Sequence, residues 1–230
     1  MGNAIILCSG GLDSVTTAHY VKKNLEYEKI RILFFNYGQK SLEKEREFSK
    51  KCAEDVGAEF KEIELKWLGE ISNSLINQKG EVNEISERDL KDTTEESKNW
   101  YVPCRNLIFL SSALSFAESI NMKEKLESDI FVGFKYDAEG GYPDTTPEFV
   151  AQVNELSKIG CEGNFEIIAP LIKKDKEEIV KLGRELKVDF NKTHSCYTSA
   201  EKHCGKCLAC QLRRAGFKWA GVEDRTEYID

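Results

Sequence analysis

The chain has 230 residues, room for one large domain or one domain with a small appendage, and its 40% hydrophobic and 32% charged residues are an ordinary globular composition. A formal net charge of -7 argues against a protein whose main work is holding nucleic acid, because that affinity comes from neutralising phosphates. No apolar run approaches the ~20 residues of a membrane span, and the run after Met1, from Ala4 to Cys8, is too short for a secretory signal, so a cytoplasmic location is expected.

Strands and helices alternate from the start. Asn3 to Cys8 is a short apolar run ending at glycines and predicts a buried strand. A helix follows from Asp13 to about Asn24, with Val15, Ala18, Tyr20 and Val21 for its inner face. Arg31 to Asn36 predicts a second strand, closed by Tyr37 and Gly38. Ser41 to Val56 is a charged amphipathic helix with Gly57 at its C-terminus, and a third strand is expected near Phe60 to Leu65. Residues 66–99 are polar and weakly periodic, and predict either a solvated surface insertion or a lid. Regularity resumes with a helix from Asn106 to Asn121 and a strand from Asp129 to Phe134. A loop spans Lys135 to Pro147, a helix runs to about Ile159, Phe165 to Ile168 forms a fifth strand, and Lys174 to Leu186 a further helix. Residues 189–230 read as a compact tail.

This order predicts an α/β fold: a Rossmann-like parallel sheet of about five strands with helices on both faces, in a domain of residues 1–188. A small C-terminal region, 189–230, would bind metal. Ligands in such folds sit at the carboxyl ends of the strands, which gathers the loops at 9–14, 36–40 and 135–146 at one edge.

The first of these loops, Ser9-Gly10-Gly11-Leu12-Asp13-Ser14, leaves a strand and opens a helix. Glycines let the backbone turn tightly and approach a phosphate, and the helix N-terminus offers free N–H groups and a favourable dipole. The Ser9 and Ser14 hydroxyls add donors, and Asp13 is a candidate magnesium ligand. Neither a Walker lysine motif nor a G-x-G-x-x-G pattern is present. The bland alternative is a tight turn capped by Asp13 or Ser14. The string resembles the signature of the ATP pyrophosphatase superfamily, which includes GMP, NAD and asparagine synthetases and tRNA thiolases. That resemblance implies ATP cleaved between its α- and β-phosphates, and a nucleotide-binding stretch of Cys8, Ser9, Gly10, Gly11, Leu12, Asp13, Ser14, Val15, Thr16, Thr17 and Ala18.

Of 8 cysteines, Cys8, Cys52, Cys104 and Cys161 are scattered, whereas Cys196, Cys204, Cys207 and Cys210 crowd together, the last three in two overlapping C-x-x-C units with Cys196 upstream. Four thiolates at that spacing converge readily on one tetrahedral zinc ion, and a closed site of that kind is structural. An iron–sulfur cluster is the rival centre, His194 and His203 flank the set as alternative ligands, and a redox or sulfur-carrying C-x-x-C is a further alternative.

With both motifs in place, the chain resembles the 7-cyano-7-deazaguanine synthases, the QueC family. The likeness runs almost end to end: Leu7 to Thr16, Asn36-Tyr37-Gly38-Gln39, Tyr101 to Asn106, Gly141-Tyr142-Pro143-Asp144, Pro170-Leu171, Lys176 to Gly183, the cysteine tail and Leu212 to Phe217. Two positions depart from the family pattern. Cys104 stands where a small residue is usual, and the loop from Gly133 to Gly140 differs and is followed by Thr145 in place of a cysteine.

The resemblance implies a ligase that adenylates the carboxylate of 7-carboxy-7-deazaguanine, forms an amide with free ammonium, then adenylates the amide oxygen to yield the nitrile. Asp13, Ser14, Arg105 and Lys176 are the candidate catalytic residues, although Lys176 sits among other lysines and reads equally as surface charge. Arg105, Asn106, Asp137, Tyr142 and Asp144 are the candidate substrate contacts, the Gly141–Asp144 string being also compatible with a plain rigid turn. ATP, Mg²⁺ and one structural Zn²⁺ are the implied cofactors. Small molecules are the expected partners, with no stable nucleic acid, no membrane, and a homodimer as the assembly. A tRNA thiolase, or a synthetase for a different acid, is the competing enzyme; a non-catalytic zinc-ribbon protein leaves the glycine loop without a purpose.

Overall fold

A computed structural model of the chain describes residues 2–137, 141–198 and 201–229. The expected alternation builds one parallel sheet of β1 (Gly2–Leu7), β2 (Tyr27–Asn36), β3 (Glu59–Glu64), β4 (Ser128–Val132) and β5 (Ile167–Ile168), in the order β3-β2-β1-β4-β5. The fifth strand has only two residues, and β4 stops before Gly133.

Alternation along each strand divides the core into two faces. Ala4 and Ile6 of β1 and Ile30 and Ile32 of β2 pack against α1 (Leu12–Asn24) and α2 (Leu42–Val56), through Val15, Ala18, Cys52 and Val56. Ile5, Leu33 and Phe35 face the other way, toward Trp100 at the end of a later helix and toward Leu110, Ala113 and Ala117 of the long helix that precedes β4. Gly57 ends α2 in the left-handed conformation, φ 68°, as its position in the sequence predicts.

Residues 66–99 are not a solvated excursion. They form α3 (Trp67–Ile71), a 3-10 turn at Glu87–Lys91 and α4 (Thr94–Trp100). Leu68, Ile76, Ile85 and Trp100 are buried in the same apolar cluster as β2. Four anchors spread over more than thirty residues carry no helical or strand period, so the polar composition between them dominates the local pattern.

The long helix is α5 (Arg105–Glu124), followed after β4 by α6 (Pro147–Gly160), α7 (Lys176–Glu185) and α8 (Leu208–Ala220). The sequence reading has no counterpart of α8, because a cysteine cluster at its start masks the periodicity. It packs on α7 and shares a third apolar cluster of Leu12, Leu171, Ile179, Val180, Phe217 and Ala220. Among the described residues no helix is long and apolar enough to cross a membrane.

Candidate active site

Strand order reverses between β1 and β4, and a cleft of about 290 Å³ opens at their carboxyl ends. The glycine loop forms its floor. Gly10 has φ 73°, and a Cβ there would lie 2.7 Å from Phe48 Cβ and 2.8 Å from Ser49 N, so this position is fixed by the approach of α2. A Cβ on Gly11 would meet nothing closer than Ser9 Oγ at 3.3 Å; its smallness leaves room for a ligand instead. No side chain caps α1, so its first amides stay available to an anion. Ser14 is tied into the loop: Ser9 N–H donates to its hydroxyl oxygen at 3.3 Å, and its O–H donates to Gly11 O at 3.2 Å. Gly133, just after β4, backs the loop closely enough that a Cβ would lie 2.9 Å from Ser14 N.

Lys176 opens α7 and reaches across to the loop, donating to both Asp13 carboxylate oxygens at 2.8 and 2.7 Å. It is thus no surface lysine. Its stem runs along α8, where Gly216 leaves the space: a Cβ there would lie 2.4 Å from Lys176 Cγ. Val15, Thr16, Thr17 and Ala18 are buried on α1 behind the loop. They are absent from the described lining of the cleft, which takes Cys8, Ser9, Gly11, Leu12, Asp13 and Ser14 from this stretch. Within this stretch the cleft lining stops at Ser14, because after one helical turn the side chains of α1 face the sheet. The Cys8 thiol is pulled down to about 7, first by a hydrogen bond from Cys52.

The other half of the cleft is aromatic. Phe35, Tyr37, Phe109 and Tyr197 line it together with Arg105 and Glu45. Phe35 and Phe109 stack at 4.2 Å, and Tyr37 meets Phe109 edge-on at 5.3 Å. The Arg105 guanidinium lies 5.6 Å from the Tyr37 ring and 5.8 Å from that of Phe109. It donates to Asn106 Oδ1 at 3.2 Å and approaches the Tyr37 hydroxyl at 3.5 Å. Among the described residues it has no carboxylate partner within salt-bridge distance, leaving a cation in the cleft ready for an anionic ligand. Burial, followed by the charge of Glu45, pushes the Tyr37 phenol well above its ordinary value.

The remaining expected substrate contacts divide. Asn106 lines the cleft and is buried. Its backbone N–H donates to Asp144 Oδ2 at 3.1 Å and its side-chain amide to Asp144 O at 3.3 Å. Asp144 therefore caps the first turn of α5 from a distance and holds Asn106 in place. Tyr142 stacks on Tyr101 at 5.9 Å, and burial pushes its phenol up to about 12. Asp137 is ion-paired with Lys135. Tyr142, Asp144 and Asp137 lie outside the described lining, and positions 138–140 of the divergent loop lie outside the described residues. Cys104 is exposed with φ 53° at the start of α5, a left-handed position that favours glycine.

The four clustered cysteines meet. Their sulfurs all lie within 4.8 Å of one another, and Cys204 and Cys210 are 3.9 Å apart. Four ligands at ~2.3 Å from a tetrahedral zinc ion stand about 3.8 Å apart, so the set fits one ion, whereas a cubane cluster would hold them farther apart. Backbone N–H groups of Thr198, Cys204 and Cys207 point at sulfurs at 3.3–3.4 Å, which suits thiolates. Hydrogen bonds from the other three sulfurs pull Cys204 far below the ordinary thiol value. The two flanking histidines stand aside from this set: His203 Nε2 accepts from Ser195 N at 3.0 Å, and His194 packs between Phe48 and His203. The segment 193–195 ties the cysteine region to the glycine loop, His194 N donating to Gly10 O at 2.8 Å, while Arg213 donates to the Thr193 and Ser195 hydroxyls.

Sequence reasoning missed Glu45, Phe109, Tyr197, His194 and Arg213 as parts of the cleft. Their spacing carries no local signal; the one available hint is a lone glutamate on the apolar face of α2.

The family described as "Queuosine biosynthesis protein QueC" matches residues 3–221. The 7-cyano-7-deazaguanine synthase of Methanobrevibacter smithii is 39% identical over 98% of this chain and 97% of its own length. That of Methanosphaera stadtmanae is 40% identical over the same shares, and that of Picrophilus torridus 40% over 100% of this chain and 93% of its own.

Proposed function

This chain belongs to the QueC family, and from that premise we propose that it converts 7-carboxy-7-deazaguanine and ammonium into 7-cyano-7-deazaguanine at the expense of ATP. It is an ATP-dependent ligase forming carbon–nitrogen bonds in deazapurine biosynthesis. The observation that carries the site assignment is the cleft itself: a phosphate loop with its Lys176–Asp13 pair at one end and an unpaired Arg105 among aromatics at the other.

In this reading the triphosphate lies on the free amides of α1 and the space above Gly11, and the flat acid occupies the aromatic half. Arg105 holds its carboxylate and orients one oxygen for in-line attack on the α-phosphate. The product of that step is the acyl adenylate, and pyrophosphate leaves toward Lys176, whose ammonium exchanges Asp13 for phosphate oxygens. Ammonium, once deprotonated, displaces AMP to give the amide. A second adenylation on the amide oxygen turns it into a leaving group, and loss of AMP and two protons leaves the nitrile. Asp13, an oxygen ligand beside the loop, suits Mg²⁺, which would neutralise polyphosphate charge. Cys196, Cys204, Cys207 and Cys210 would hold zinc in a closed, structural site that anchors the 193–195 segment beside the loop. Small molecules suffice as partners, and the cytoplasm, where both ATP and reduced thiols abound, is the place of work.

Incubation with Mg-ATP, ammonium and 7-carboxy-7-deazaguanine should yield the nitrile by mass, with two AMP per product. Absence of both nitrile and amide sinks the proposal. ATP consumption that depends on a sulfur donor and tRNA would point to a thiolase instead.

A further inference from the structure

Glu45 has no role in the chemistry above, yet it is a carboxyl only 9% exposed that lines the cleft from the first turn of α2. One of its oxygens accepts from the Ser41 hydroxyl and the other from Gln39 Nε2 at 3.0 Å. Gln39 is itself fixed, its Oε1 accepting from Tyr37 N at 2.9 Å and its Nε2 donating also to Phe35 O at 3.0 Å. Among the described residues no cation lies within salt-bridge distance of Glu45. Burial pushes its carboxyl above the ordinary value. A carboxylate kept out of water with only two neutral donors is costly, and a ligand that supplies further donors offsets that cost.

Each oxygen keeps a free lone pair, so the held carboxylate is a two-pronged acceptor. Beside it lie the Phe35, Tyr37 and Phe109 rings, a surface for a flat heterocycle, and Arg105, a cation for an acid group. The complementary molecule is planar, carries a carboxylate and presents two parallel N–H donors on one edge. Adenine presents a donor next to an acceptor nitrogen on that edge, which a carboxylate repels. We propose that Glu45 is the specificity-determining residue that reads the N1–H and 2-amino edge of the deazaguanine ring. The assignment rests on the function proposed above and extends it to the choice of base.

The test compares 7-carboxy-7-deazaguanine with its analogue lacking the 2-amino group, in wild type, Glu45→Gln and Glu45→Asp. Wild type should prefer the amino compound by about 10–100-fold in kcat/KM, the range of a charge-assisted hydrogen bond left unmade. Glu45→Gln should lose that preference to within about 3-fold and raise KM for the acid, with KM for ATP within about 2-fold. Glu45→Asp keeps the charge and should retain part of the preference, with thermal melting of both variants establishing that they are folded. Full preference in a folded Glu45→Gln overturns the assignment. So does a rise in KM for ATP alone, which would hand the carboxyl to adenine. A wild type that makes nitrile from neither compound fails at the earlier step, and both readings fall with it.

Discussion

Gly216→Ala should disable the enzyme while leaving it folded. The added methyl would lie 2.4 Å from Lys176 Cγ, 3.2 Å from Lys176 Cβ and 3.2 Å from Lys176 O, where carbon atoms rest at about 3.5–4.0 Å. Cγ is near the backbone, so swinging the end of the lysine gives no relief. Either α7 and α8 part by about 1 Å or Lys176 changes its first rotamer; both withdraw its ammonium from Asp13 and the phosphate space. Overpacking costs about 1–3 kcal/mol, and replacing a helical glycine by alanine returns about 1 kcal/mol. The net destabilisation is therefore about 0–2 kcal/mol. Misplacing a phosphate-handling cation by about 1 Å costs on the order of 10²-fold in kcat. Steady-state pyrophosphate release and urea denaturation measure the two effects separately. Gly160→Ala is the control, because a Cβ at Gly160 meets nothing within 4 Å; it should keep full activity and gain about 0.5–1 kcal/mol. A Gly216→Ala protein with kcat within about 3-fold of wild type would refute the argument that this glycine exists to seat Lys176.

Lys176→Gln should lower kcat by about 10²–10³-fold with a modestly lowered melting curve, since breaking this largely buried ion pair costs about 1–3 kcal/mol; a loss of stability without a loss of rate would make the lysine structural. Cys207→Ala should purify without stoichiometric zinc and melt well below wild type, as metal analysis and calorimetry would register; one equivalent of zinc in that variant counts against the four-cysteine site. Burial pushes His194 down to about 4 and His203 to about 3, against about 6.5 when unfolded. The unfolded chain then binds more protons, so this stability is complete above about pH 6.5 and is lost as pH falls toward the folded values. The two neighbouring rings together should contribute about 2–4 kcal/mol less at pH 5 than at pH 7.5, and acid displacement of zinc acts in the same direction. Urea melts at the two pH values and NMR titration of the rings check this, and rings that titrate near 6.5 would contradict it.

Elements whose signal is local were legible in the sequence. The apolar runs at Asn3–Cys8 and Arg31–Asn36 became β1 and β2, and the glycine loop between strand and helix became the floor of the cleft. The overlapping C-x-x-C units and the upstream Cys196 became four converging sulfurs, since ligands that close in sequence have little freedom to do otherwise. Residues 66–99 and α8 were not legible. In the first, widely separated anchors such as Leu68 and Trp100 have no period; in the second, the cysteines interrupt it.

The local chemistry of this protein is thus written in its sequence: a glycine-rich turn between strand and helix, a four-cysteine cluster and the alternation that makes a parallel sheet. Only the tertiary structure decides which distant charges that chemistry meets. Lys176 stands 163 residues from Asp13, and Arg105 68 residues from Tyr37. Asp144 accepts from the start of α5, 38 residues away in the chain, and Glu45 joins the lining of the cleft. Short-range pattern reports which backbone state a segment prefers, whereas burial and pairing of a charge depend on what the folded chain brings against it.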